Sequence, residues 1–86
     1  MSLELRKMKI VEGEVREIAR EICLGGTAEE RIKCMDEVIR WSPEKIYTYL
    51  MEVLPKEDFE FYIKHQKYFN RVLVHEVENE KKYISE

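Results

Sequence analysis

An 86-residue chain with 15 basic and 18 acidic residues, a formal net charge of −3 and 44% hydrophobic residues has the size of one small folded domain. Its acidic balance argues against non-specific binding to nucleic acid or anionic membranes by the molecule as a whole, and its apolar content argues against disorder. A domain this small buries only roughly 60–65% of its unfolded surface, so covering a further face against a second copy would help it.

Met1, Ser2 and Leu3 are set aside as a leader. A first helix is predicted over residues 4–23. Met8, Val11, Val15, Ile18 and Ile22 recur at three- and four-residue spacing with Ala19 beside them, while Gly13 lies on the opposite, wet face. Gly25-Gly26 ends it, since glycine accepts the positive φ past a helix C-terminus. Thr27-Ala28-Glu29-Glu30 then reads as a capping box opening a second helix, with a seam of Ala28, Ile32, Met35 and Ile39. The short turn predicts an antiparallel hairpin of the two.

Ser42-Pro43 predicts the start of a third helix, Ser as N-cap and Pro at the first helical position. Ile46, Tyr49, Leu50, Val53 and Leu54 give it a broad apolar face. Pro55 stops it and precedes a long fourth helix from about residue 56 into the low eighties, with Glu57 and Asp58 at its dipole-positive start. That helix has two apolar arcs. The wider holds Phe59, Tyr62, Ile63, Phe69, Leu73, Val77 and Ile84; the second holds Phe61, Tyr68, Val72 and Tyr83. A helix apolar on two sides is central or shared with another chain. The expected fold is thus all-α, a single helical domain over residues 1–86: a small antiparallel four-helix bundle with a long C-terminal helix, dimer-forming.

Two features carry the functional expectations. From Phe61 to His75 the chain has no acidic residue, and Lys64, Lys67, Arg71 and His75 fall along one side of the helix, a candidate contact for an acidic partner. Glu60 and Glu78 stand in line at its ends, spaced to pair with Lys64 and Lys82. Within the chain or across a dimer, the acids of the first two helices are possible partners for this stripe; pairing with Arg16, Arg20, Arg31 and Lys33 on their own helices is the simpler expectation. The second feature is apolar surplus. Trp41, Tyr47, Met51, Phe61, Tyr68 and Val72 lie off the main seams and are the candidate anchors of a homo-oligomeric interface, where aromatics and Met are enriched.

Little in the sequence suggests chemistry. His65 and His75 share no face, no Glu-x-x-His or Cys-x-x-Cys is present, and no metal or cofactor is expected. There is no glycine-rich phosphate loop, no nucleophile elbow and no evident small-molecule substrate, so no enzyme is expected. A helix-turn-helix reader is disfavoured because its would-be recognition helix has Lys45 as its one base, between Glu44 and Glu52. A hairpin register about Gly25-Gly26 places Cys34 near Glu17, leaving Cys23 and Cys34 beyond the roughly 7 Å Cα limit for a bridge. Two ordinary buried thiols are therefore expected. No apolar run reaches the length of a membrane span and no signal peptide is expected, so the protein is taken as reduced and cytoplasmic. One Gln and two Asn among many Glu, Lys and Arg resemble thermophile usage. The expected role is that of a non-catalytic protein–protein interaction or adaptor module whose partner is itself or another protein. The alternative is a nucleic-acid-binding accessory protein using the basic face of the C-terminal helix.

Overall fold

The computed structural model describes residues 2–86; Met1, set aside above, lies outside them. Among the described residues the chain forms five α-helices and no strand: α1 (Leu3–Glu21), α2 (Ala28–Ile39), α3 (Pro43–Val53), α4 (Lys56–Lys64) and α5 (Gln66–Ser85). The all-α expectation holds, while the long fourth helix proves to be two.

The helix ends follow their local chemistry. Ser2, given no weight in the sequence, is the N-cap of α1, its hydroxyl accepting from the Leu5 N–H at 3.2 Å. Thr27 and Glu30 form the reciprocal capping box at the start of α2, with bonds of 3.2 and 3.0 Å. Ser42 caps α3 with Pro43 at its first position. Gly25 and Gly26 take φ of +100° and +88°, a left-handed turn that a side chain would strain.

The break between α4 and α5 falls at His65, whose φ of −128° and ψ of 38° leave the helical region. Its N–H bonds to the Tyr62 carbonyl, and its own carbonyl accepts from the Phe69 N–H. No Gly or Pro marks this position. The break changes the helical phase, so that Tyr62 of α4 and Phe69 of α5 are both fully buried, 6.3 Å apart, with Phe61 6.2 Å from Phe69. The Tyr62 hydroxyl donates to Asn70 Oδ1 at 2.5 Å, tying α4 to α5 across the break.

α5 is the central helix: α1 and α2 both pack chiefly against it, and α4 lies against α1 and α3. The core holds Val11, Val15 and Ala19 from α1, Met35 and Val38 from α2, Ile46 and Leu50 from α3, Tyr62 from α4, and Phe69, Val72, Leu73 and Val77 from α5. On α2 the buried stripe is rotated from the expected seam: Val38 is inside and Ala28 outside. Charged clamps fasten this core at its edges. Glu76 of α5 receives Arg16 at 3.3 Å and Arg20 at 3.6 Å from α1, and Lys81 reaches Asp36 of α2 at 2.6 Å. The radius of gyration is 13.2 Å, against roughly 12 Å for a compact domain of this length. The excess reflects an elongated body of 42 × 26 × 19 Å.

Cys23 and Cys34 form a disulfide, with Cα atoms 5.7 Å apart. The expectation of two free thiols fails because it assumed a flat hairpin register. Helices α1 and α2 pack on α5 rather than along each other, and the double-glycine turn brings the middle of α2 back to the end of α1. Arg31, one turn before Cys34, donates from Nε to the Cys23 carbonyl at 3.1 Å, holding the same crossing.

Candidate functional site

The basic residues lie where helical phase predicts, with one interruption. Lys67, Arg71 and His75 follow one another at four-residue spacing on the exposed face of α5, opposite buried Leu73. Lys64 is exposed too but ends α4, on the far side of the break. Among the ion pairs of the described residues none involves Lys64, Lys67 or Arg71, and the expected Glu60–Lys64 and Glu78–Lys82 pairs do not occur. Of the acids of α1, Glu4 lies 3.6 Å from His65 and Glu12 has partners other than the stripe. Glu12 accepts from the Tyr68 hydroxyl and from Arg16 at 3.1 Å; the Tyr68 bond first, and Arg16 after it, hold its carboxyl below the ordinary range.

The six apolar candidates do not form one patch. Val72 is 9% exposed and belongs to the core. Phe61 packs on His65 at 4.8 Å and on Phe69. Tyr68 keeps 41% of its surface and turns its hydroxyl to Glu12. Trp41 rests on Tyr49, ring centroids 5.4 Å apart, on one flank of α3. Tyr47 and Met51 occupy the other flank, one helical turn apart, with Met51 50% exposed.

Tyr47 and Met51 instead join two residues of α4. The Tyr47 ring meets Phe59 edge-on at 5.1 Å, and Ile63, one turn beyond Phe59, is 42% exposed. Tyr47 and Phe59 also lie on buried Tyr62, at 6.5 and 5.6 Å, and so pack against the core, while Met51 and Ile63, one turn from each, are exposed: an apolar band across the α3–α4 hairpin that meets solvent chiefly at its ends. The sequence placed Phe59 and Ile63 on one wide apolar arc of a single long helix; Phe59 packs against the core as that arc predicts, while Ile63, near the end of α4 before the break at His65, is exposed.

Two further constellations escaped sequence reasoning. Asp58, 9% exposed at the first turn of α4, forms an ion pair with Lys7 and adjoins Glu14, both of α1; Glu14 Oε1 is buried with no hydrogen-bond partner. Burial first, then the adjoining Asp58, pushes the Glu14 carboxyl up to about 7. The Glu14 hydrogen bond and Lys7 lower Asp58. Secondly, an apolar groove of about 330 Å³ runs beside the disulfide, walled by Trp41, Tyr49, Ile22 and Val38 with Glu37 and Glu52 at its rim. Both depend on helix crossings that spacing alone does not reveal.

Among the described residues no group of three or more His, Cys, Asp or Glu side chains is arranged to hold a metal ion, and no helix is long and apolar enough to cross a membrane. The chain matches no protein-family model, no curated protein and no solved structure.

Proposed function

We propose that this chain is a small non-catalytic interaction module that pairs with a second copy through the α3–α4 hairpin. The supporting observation is the apolar band of Met51, Tyr47, Phe59 and Ile63, of which Met51 and Ile63 are 50% and 42% exposed. Exposed apolar side chains bordering the core are an ordinary mark of a protein interface, and aromatics with Met are the residues that anchor one. A small domain gains most from such burial. Trp41, Phe61, Tyr68 and Val72 are not needed for this contact. A cytoplasmic location accords with it: intracellular disulfides occur in hyperthermophiles, whose amide-poor, charge-rich composition this chain shares.

Light scattering across a concentration series tests this. The expected result is a dimer at tens of micromolar that becomes monomeric in Met51→Lys with Ile63→Lys. Both positions are exposed, so the substitutions leave the core intact. A wild-type monomer at high micromolar concentration refutes the proposal.

A second reading, contact with an acidic partner such as nucleic acid, is favoured by the exposure of Lys67 and Arg71 and the lack of an ion pair to either. Three or four phosphate contacts would release few counterions, so binding would be weak and salt-sensitive. Anisotropy with mixed oligonucleotides at low salt tests it; binding indifferent to Lys67→Glu with Arg71→Glu excludes the ridge.

A further inference from the structure

The groove beside the disulfide combines three properties that meet nowhere else among the described residues. Its walls include two aromatic rings, Trp41 and Tyr49, at 5.4 Å with their planes inclined by 57°, so they form a corner rather than a stack. Glu37 and Glu52 stand at its rim. Tyr49 also feels Glu21 and Glu52: its hydroxyl is raised above the ordinary value, by burial first and by these two carboxylates next. Two carboxylates and the π faces thus stand against one ammonium, that of Lys45, which also lines the groove. The third property is direct. The ammonium of Lys45 sits over the Trp41 ring, 5.2 Å from its centroid, so this ring already receives a cation from the chain itself.

We propose that the corner between Trp41 and Tyr49 binds a small free alkylammonium compound, whose positive head takes the place over Trp41 that Lys45 occupies in the unliganded chain. The chemistry selects the class. An aromatic corner attracts a diffuse, weakly hydrated cation through the ring quadrupoles, and the rim carboxylates reject anions. An alkylated ammonium loses less hydration than a primary one on entering an apolar site, so the ligand displaces Lys45 rather than sharing the ring with it. The volume selects the size: about 330 Å³ is at the small end of ligand sites. The site lies on the Trp41–Tyr49 flank of α3, opposite the Tyr47–Met51 flank, so it stands or falls independently of self-association.

Trp41 is the one tryptophan of the chain and reports on the site without labelling. The oxidised protein is titrated with tetramethylammonium chloride at ionic strength matched with NaCl, following Trp41 emission. A saturable change is expected, and none with tert-butanol, a neutral molecule of similar shape. Lys45→Met removes the competing ammonium and is expected to tighten binding about 2- to 5-fold, the worth of one exposed cation–π contact. Glu37→Gln with Glu52→Gln is expected to weaken it about 5-fold, as two exposed carboxylates would. Far-UV circular dichroism confirms that each variant is folded. A linear, unsaturable response, an equal response to tert-butanol, or an affinity unchanged by Lys45→Met overturns the proposal. So does a trimethyllysine peptide that binds more than 10-fold tighter than the free amine, since the ligand would then be a protein side chain.

Discussion

Reducing the Cys23–Cys34 bridge should cost this protein a large part of its stability. The bridge joins residues 11 apart in sequence, and closing a loop of about 12 residues in the unfolded chain corresponds to about 3 kcal/mol in the chain-entropy treatment. A chain of this length is expected to have roughly 4–13 kcal/mol in all, so the bridge is a substantial fraction. Reduction leaves every core volume unchanged, which makes it a cleaner perturbation than replacing Cys23, itself only 5% exposed. Urea unfolding followed by far-UV circular dichroism, with and without a phosphine reductant, measures the effect, and a thiol assay giving two thiols per chain establishes complete reduction. With a urea m-value near 1.5 kcal/mol/M the midpoint should fall by roughly 2 M. The contact of Arg31 with the Cys23 carbonyl and the Thr27 capping box remain, so the reduced chain should still fold in water. A fully reduced protein whose midpoint moves by less than about 0.3 M would refute the reasoning, because the unfolded chain would then have to be ordered there already.

The Glu14–Asp58–Lys7 cluster predicts a pH dependence of definite sign. Glu14 is raised in the fold from 4.5 to about 7, so its contribution is complete below pH 4.5 and is lost as pH rises through 7. Asp58 is lowered, so its contribution is lost only in acid, below its ordinary 3.8, outside that window. Glu14→Gln keeps a donor for Asp58 and removes the titration; chemical denaturation at pH 5 and pH 8 should show wild type losing about 1–2 kcal/mol more than the variant, after allowing for solvent screening. Equal losses would show that Glu14 does not hold its proton against Asp58. Tyr62→Phe removes the hydrogen bond to Asn70 across the His65 break and should cost about 1–2 kcal/mol in urea unfolding. Thr27→Ala removes half of the capping box and should cost about 1 kcal/mol, read in the same way.

Where a structural feature is decided by neighbours in sequence, it was legible. Thr27 to Glu30, Ser42-Pro43 and Gly25-Gly26 place the helix boundaries because capping and left-handed turns are local chemistry. Val11, Val15, Leu50 and Leu73 read as core because three- and four-residue spacing is preserved within one helix. The centrality of the C-terminal helix followed from its two apolar arcs and is seen in α5. The misses share a cause. His65 carries no local signal to break a helix; the burial of Tyr62 and Phe69 together decides it. The disulfide depends on how the double-glycine turn crosses α2 over the end of α1, which spacing within either helix does not show. Val72 belongs to an arc that looked spare yet is buried in the core, and Lys67, Arg71 and His75 fell in line because they never leave the solvent, Lys64 lying beyond the break.

The packing of α1 on α5 also orders events in time. The main partner of α1 is α5, which is made after it, and the Arg16–Glu76 contact spans 60 residues of chain. Until α5 is synthesised, Val11, Val15 and Ala19 lack their main partner, α4 offering α1 only a smaller contact, and α2 lacks its support as well. Closing so long a segment is slow compared with local contacts. The turn at Gly25-Gly26, the capping box and the Cys23–Cys34 bridge are all local, so they can join the end of α1 to α2 beforehand. The late arrival of α5 then completes a clipped helix pair rather than gathering two independent helices, and a chain truncated before Gln66 should remain an open, protease-sensitive fragment.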